Sequence, residues 1–308
     1  MTRYRRIPLL ATLALLLPAP PVALAQSDTV RSGEARADGP RADDGSFSFG
    51  PPDDMLISPS DPADGAARRP DPRVEAARRY ADCLDMARDR PDTAIERART
   101  WQDTGGGDAA RHCQAIAHMT RGDYHRAGRM LEQLARTMPK DIGAAPRANA
   151  LSQASRAWLL GNKPGRAQAA ATQALELKPD DPELLLDRAH ARFQAGQYWE
   201  TIDDLNRAIE RKPGRADLYV YRGSAYRYVD APTMARENLR RALELDPDNV
   251  EAQFELGALA RLQGDTADAR DRWMAVIRQA PETGLAQAAR ENLQQMDVQV
   301  ETPPDGSG

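Results

Sequence analysis

The sequence predicts an all-α fold, an extended solenoid of antiparallel helix pairs piled in one direction. Three observations carry that expectation. Pro179, Pro213, Pro247 and Pro281 stand 34 residues apart, and self-similarity at a fixed period is the mark of repeat architectures. Copies aligned from Pro182, Ala216 and Val250 place small residues at the eighth position (Ala189, Gly223, Gly257) and the twentieth (Thr201, Ala235, Ala269). Bulky Leu205, Leu239 and Trp273 follow at the twenty-fourth, and Ala208, Ala242 and Val276 at the twenty-seventh. Small residues of this kind let two helices approach closely. Aromatic residues make up only 5% of the 308 residues, which suits close-packed helices and argues against a β-rich core.

The runs Tyr219-Gly223-Tyr226-Ala235-Ala242-Pro247, Leu256-Gly257-Ala269-Pro281 and Leu185-Ala189-Ala208-Pro213 resemble the tetratricopeptide repeat family. The resemblance implies a right-handed superhelix of helix pairs. It implies little about chemistry, because the repeat is a packing solution and function lives in sites placed upon it.

Taken in order, Arg3, Arg5 and Arg6 precede an apolar run from Ile7 to Leu17, then prolines and Ala23-Leu24-Ala25. This pattern reads as a signal peptide, residues 1–25, cleaved before Gln26. The run is too short to span a bilayer, and no Cys follows it for lipid attachment. An exported bacterial protein, periplasmic and without a membrane span in its mature form, is the expectation. Residues 26–72 are rich in Asp, Pro, Gly and Ser and bury too little to offset ordering entropy, so a disordered tether is expected. Phe47-Ser48-Phe49-Gly50 and Met55-Leu56-Ile57 within it read either as scattered linker residues or as a docking peptide, for a partner or for this chain's own groove.

Residues 73–141 read as two divergent repeats. The first helix carries an apolar stripe of Val74, Ala77, Tyr80, Ala81, Leu84 and Ala87. Residues 142–147 are six extra, expected as a surface loop. Four regular repeats occupy 148–283, with turns at Gly161-Asn162, Gly196, Asp230 and Gly264. Residues 284–298 form an expected capping helix, with Leu285, Ala288, Ala289, Leu293 and Met296 inward and a polar outer side, as a solenoid end requires. Residues 299–308 are an expected disordered tail.

Of the 42 basic residues four are lysines (Lys140, Lys163, Lys178, Lys212), leaving 38 arginines, and the formal charge is −4. That balance excludes the basic footprint of a nucleic-acid binder. No Gly-rich phosphate loop, H-E-x-x-H or G-x-S-x-G appears. The sequence therefore points to no enzyme, no cofactor and no metal. By resemblance, the first helix of each pair lines a concave face. Its candidate binding residues are Arg156, Leu186, His190, Phe193, Val220, Tyr221, Arg227, Tyr228, Phe254 and Arg261, an amphipathic groove for an extended peptide or helix. The paired Lys and Asn by which some family members hold a partner's carboxylates are missing. First helices of neighbouring copies pack side by side in this family, so the resemblance implies a Cys83–Cys113 disulfide. A metal site with His112, His118 or His125 stands as the alternative. The expected function is a monomeric binding scaffold for a protein or peptide; a self-assembling solenoid is the alternative.

Overall fold

The structure, a computed structural model, describes residues 71–301. The expected signal peptide, the tether up to residue 70 and the last seven residues of the tail lie outside that range. Thirteen α-helices and no strand occur among the described residues. They are α1 (Pro72–Asp89), α2 (Pro91–Asp103), α3 (Gly107–Thr120), α4 (Tyr124–Thr137), α5 (Ala144–Leu160), α6 (Pro164–Leu177) and α7 (Pro182–Gln194). Then come α8 (Tyr198–Arg211), α9 (Ala216–Tyr228), α10 (Pro232–Leu245), α11 (Val250–Leu262), α12 (Thr266–Gln279) and α13 (Gly284–Glu301). Each odd helix packs against the even helix that follows it, and each pair packs on the next. The result is an α-solenoid of the tetratricopeptide type, closed by α13.

Local chemistry sets the boundaries. Proline opens α1, α2, α6, α7 and α10, where its missing N–H has no helical partner to lose. The Asp181 side chain accepts from the Glu183 N–H at 3.0 Å and caps α7. Asn249 does the same for α11 through Ala252 N–H at 2.8 Å. The turn inside each of five pairs contains one left-handed residue: Gly122, Asn162, Gly196, Asp230 and Gly264. Glycine and Asn/Asp are the residues that tolerate this conformation. From Asn162 onward these residues recur every 34 positions, while Gly122 precedes Asn162 by 40.

The six extra residues account for that difference, and they are not the surface loop the sequence suggests. A 3₁₀ turn at Lys140–Ile142 leads into Gly143, and residues 144–147 form the first turn of a lengthened α5. Pro146 sits in that first turn, where a proline is tolerated. Arg147 Nε donates to the Ala135 carbonyl at 3.3 Å and ties the added turn to α4. A second correction concerns α1. Val74, Ala77 and Ala81 are exposed, and the buried strip is Cys83, Met86 and Ala87. Among the described elements α2 and α3 pack on this helix, and the strip they bury lies along its second half.

The core runs the length of the stack. Ala208, Ala235, Ala242, Ala269 and Val276 are fully buried, with Leu205, Leu239 and Trp273 beside them. The small eighth residue accepts the bulky twenty-fourth. A Cβ on Gly223 would lie 2.9 Å from Leu239 Cγ, and one on Gly257 would lie 2.7 Å from Trp273 Nε1. On α13, Leu285, Ala286, Ala288, Ala289, Leu293 and Met296 are buried, while Arg290, Glu291, Gln294 and Gln295 face solvent.

Candidate functional site: the inner row of first helices

First helices touch first helices directly in the α1–α3, α5–α7 and α9–α11 steps, whereas second helices meet no second helix to a comparable extent. The row of first helices is therefore the shorter, inner one of a curved stack. Side chains stitch it from end to end. Tyr80 on α1 bonds His112 Nδ1 on α3 at 2.7 Å, and His112 Nε2 bonds Gln153 Oε1 on α5 at 2.5 Å. Because the glutamine oxygen only accepts, Nε2 carries the proton and Nδ1 accepts from the Tyr80 hydroxyl. Both nitrogens are thus used, and burial pushes the His112 pKa below the usual imidazole value.

The next links are ionic. Asp187 on α7 is buried and accepts from Ser152 and, at 2.9 Å, from Arg156 Nε, both on α5. Desolvation raises the Asp187 pKa although Arg156 opposes the rise. Arg215, just before α9, pairs with Glu183 and with Asp217 at 2.5 Å. Arg227 Nε on α9 meets buried Glu255 on α11 at 2.9 Å. Burial opposes the charge on Arg227, and the Glu255 carboxylate more than offsets it, so its pKa rises.

One helical turn on from Asp217 lie two neutral rings. The His190 and Tyr221 rings meet edge to face with centroids 4.3 Å apart. His190 Nε2 and Gln194 Oε1, one turn apart on α7, are buried atoms with no hydrogen-bond partner. Burial, and then the nearby Arg156 charge, push the His190 pKa down to about 4. The imidazole is therefore neutral at physiological pH. Further along, Tyr228 stacks on Tyr198 at 4.6 Å, Phe193 meets both rings edge-on, and Arg227 lies 4.5 Å over Tyr228.

The ten sequence-derived groove residues separate by helix position. Leu186 and Val220 at the fifth place and Phe193 at the twelfth are buried. Places five and twelve are two turns apart, share one side of the helix, and point into the neighbouring pair. The expectation that these three contact a partner gives way to packing. Arg227, also at place twelve, is 15% exposed and held by Glu255. Places six, nine and thirteen open to the hollow side: Tyr221, His190, Arg156 and Tyr228. Arg156 is 52% exposed although paired. Phe254 and Arg261 on α11 are half-buried, with Arg261 reaching Gln295 of α13 at 3.5 Å. Sequence reasoning misses Tyr198, because it opens a second helix and the first-helix rule has no place for it. Gln194 lies on the expected face but its unsatisfied oxygen has no signal in the sequence.

The remaining sequence candidates are structural. Cys83 and Cys113 are buried with Sγ atoms at bonding distance and Cα atoms 6.1 Å apart. His118 Nδ1 pairs with Asp123 at 3.0 Å, and His125 Nε2 with the Gly161 carbonyl at 2.8 Å. These histidines are spread over separate contacts. Among the described residues no group of three His, Cys, Asp or Glu is arranged to hold a metal, and no helix is long and apolar enough to cross a membrane.

Comparison with known proteins agrees on the fold. The family model described as tetratricopeptide repeat matches residues 151–216 and 222–284, the stretch from α5 to the start of α13. The chain is 43% identical over 54 residues to Protein SGT1 homolog of Oryza sativa subsp. japonica, covering 18% of this chain and 15% of that protein. It is 29% identical over 129 residues to RNA polymerase II-associated protein 3 of Xenopus tropicalis, covering 42% and 19%. The chain thus spans less than a fifth of the length of these curated relatives. Among solved structures, a thermophilic TPR protein of Thermus thermophilus aligns with a TM-score of 0.51 at 19% identity. That alignment covers 61% of this chain and all of the other.

Proposed function

We propose that this solenoid of tetratricopeptide repeats is a non-catalytic scaffold that binds a peptide or a helix of a protein partner along its inner row of first helices. Tetratricopeptide folds are in general protein-interaction modules. The observation that carries the reading here is the pair of neutral rings, His190 and Tyr221, between the Arg156–Asp187 and Arg227–Glu255 pairs. There His190 Nε2 and Gln194 Oε1 have no hydrogen-bond partner among the described residues, beside the Tyr221 ring. An unsatisfied buried polar atom costs about 1–3 kcal/mol, so a partner's backbone donor and acceptor would recover what folding leaves unmet. Arg156 and Arg227, the arginines nearest those rings, are already held by carboxylates. The site therefore favours an uncharged, amphipathic segment over an acidic tail.

The test compares partner recovery from a cell-envelope fraction by the native chain and by a Tyr221→Ala/Phe254→Ala variant of equal helicity. Loss of specific recovery is expected, and unchanged recovery sinks the assignment. The scaffold's setting belongs to the same proposal: export, cleavage before Gln26, and a periplasmic site in envelope or secretion assembly. The buried Cys83–Cys113 pair supports this, since such a bond persists in an oxidising compartment. N-terminal sequencing of the periplasmic protein tests it, and an intact leader in the cytosol would end it. A monomer is expected, because α13 ends the stack with Arg290, Glu291, Gln294 and Gln295 facing outward. Light scattering that showed end-to-end oligomers would favour the self-assembling alternative.

A further inference from the structure

A cleft of about 490 Å³ opens on the other side of the stack, between α2, the start of α3, α4 and α6. Its walls include apolar Met130 and Leu134, and its rim carries Arg111, Arg129, Arg136 and Arg166. Glu132 is the acidic residue lining it, and that carboxylate is taken: Trp158 Nε1 donates to it at 2.7 Å and Arg166 at 3.2 Å. Arg111 pairs with Asp108 at 3.1 Å. Among the described residues Arg136 bonds only the neutral Gln133, at 2.9 Å. Neither Arg136 nor Arg129 has a carboxylate partner among the described residues. The cleft is thus apolar inside, cationic at its edge and short of anions.

The chain carries the complement. Residues 43–64, outside the described range, hold six aspartates (Asp43, Asp44, Asp53, Asp54, Asp61, Asp64) and no Lys or Arg. The same stretch holds Phe47, Phe49, Met55, Leu56 and Ile57. Acids and large apolar side chains alternate there as arginines and apolar walls do in the cleft. Met55 lies 16 residues before Asp71, a reach of up to about 55 Å when extended. α1, which begins at Pro72, packs directly on α2 and α3. We propose that residues 43–64 of this chain dock in the arginine-rimmed cleft, leaving the inner face free. The docked segment neutralises Arg129 and Arg136, covers half-buried Met130, and lies against the second helices of the first three pairs. This is independent of the inner-face reading, since it uses other helices and a different occupant.

Chymotryptic cleavage within residues 47–57 of the full chain tests it. When opening is fast, cleavage tracks the population of the open form, and the native chain should be cut about tenfold more slowly than Arg129→Glu/Arg136→Glu. Molar salt should abolish the difference by screening. Asp53→Asn/Asp54→Asn should be cut as fast as the arginine variant, and it leaves every described residue unaltered should the arginine variant fail to fold. Equal cleavage of the native chain and Asp53→Asn/Asp54→Asn at low salt would overturn the proposal. So would protection that survives in a folded Arg129→Glu/Arg136→Glu chain, or protection that grows with protein concentration, which would place the segment on a second copy.

Discussion

Replacing Gly257 by alanine tests the packing rule that generates the stack. Two effects oppose one another. An alanine inside α11 gains about 1 kcal/mol of helix propensity over glycine. Its methyl would lie 2.7 Å from Trp273 Nε1 and 2.9 Å from Cδ1, and Trp273 is 1% exposed, with its Nε1–H donated to the Phe254 carbonyl at 3.2 Å. The indole cannot withdraw into solvent, so it must shift within the core. Overpacking of that kind costs about 1–3 kcal/mol, and a lost indole hydrogen bond leaves a buried donor at about 1–3 kcal/mol more. The net expectation is destabilisation by about 2 kcal/mol. Gly165, in the first turn of α6, supplies the control: a Cβ there meets nothing within 4 Å. Gly165→Ala should stabilise by about 0.5 kcal/mol. Urea unfolding followed by far-ultraviolet circular dichroism measures both. A Gly257→Ala protein as stable as the native one would refute the idea that the eighth place is small because the twenty-fourth is large.

Other perturbations bear on the ion pairs, the inner face and the cysteines. Burial holds the His190 pKa at about 4 in the fold, against an unfolded value of about 6.5, so the unfolded chain takes up the proton first. His190 should therefore withdraw about 2 kcal/mol of stability as the pH falls from about 7 to about 5. His190→Gln should remove that share of the pH dependence, and an unchanged slope would contradict it. Asp204 is 2% exposed and holds Arg188 and Arg192 at 2.6 Å each. Asp204→Ala leaves both without a carboxylate, Arg192 keeping the Glu200 carbonyl at 3.1 Å, and should cost about 3–5 kcal/mol by denaturant titration, whereas a loss under about 1 kcal/mol would show that the two guanidinium groups find water. Reducing Cys83–Cys113, which spans 30 residues, should lower the stability of the first two pairs by about 3.5 kcal/mol in the chain-entropy model. Two free thiols in the unreduced protein would remove that prediction.

How much was legible in the sequence follows from what each feature depends on. The 34-residue period is a property of residue identity: Pro179, Gly223 or Ala242 must be what they are for neighbouring pairs to nest, so the fold could be read directly. The same holds for the turns, because Asn162, Asp230 and the turn glycines are residues that tolerate a left-handed backbone. The six residues before Ala148 mislead, since Gly143 and Pro146 look like loop residues, yet one ends the preceding turn and the other fits the start of a helix. Val74 misleads in another way: an apolar stripe shows what a helix can bury, and nothing precedes α1 in the described stack to cover Val74, Ala77 and Ala81. For the candidate site, place along the helix tells which residues belong to first helices. It does not separate Leu186, Phe193 and Val220, turned into the next pair, from Tyr221 and His190, turned to the hollow, because a small rotation of the helix decides between them. Nor does spacing reveal that Arg156 and Arg227 meet Asp187 and Glu255 from other repeats.

Site-specific photocrosslinking tests the central claim most directly. A benzophenone amino acid would replace Tyr221 on the inner face in one variant and Met274, an exposed residue of second helix α12, in another, each expressed in its native host. The inner-row account predicts a discrete crosslinked protein partner from position 221 and none from 274. A partner captured from position 274 alone, with position 221 silent, would contradict it.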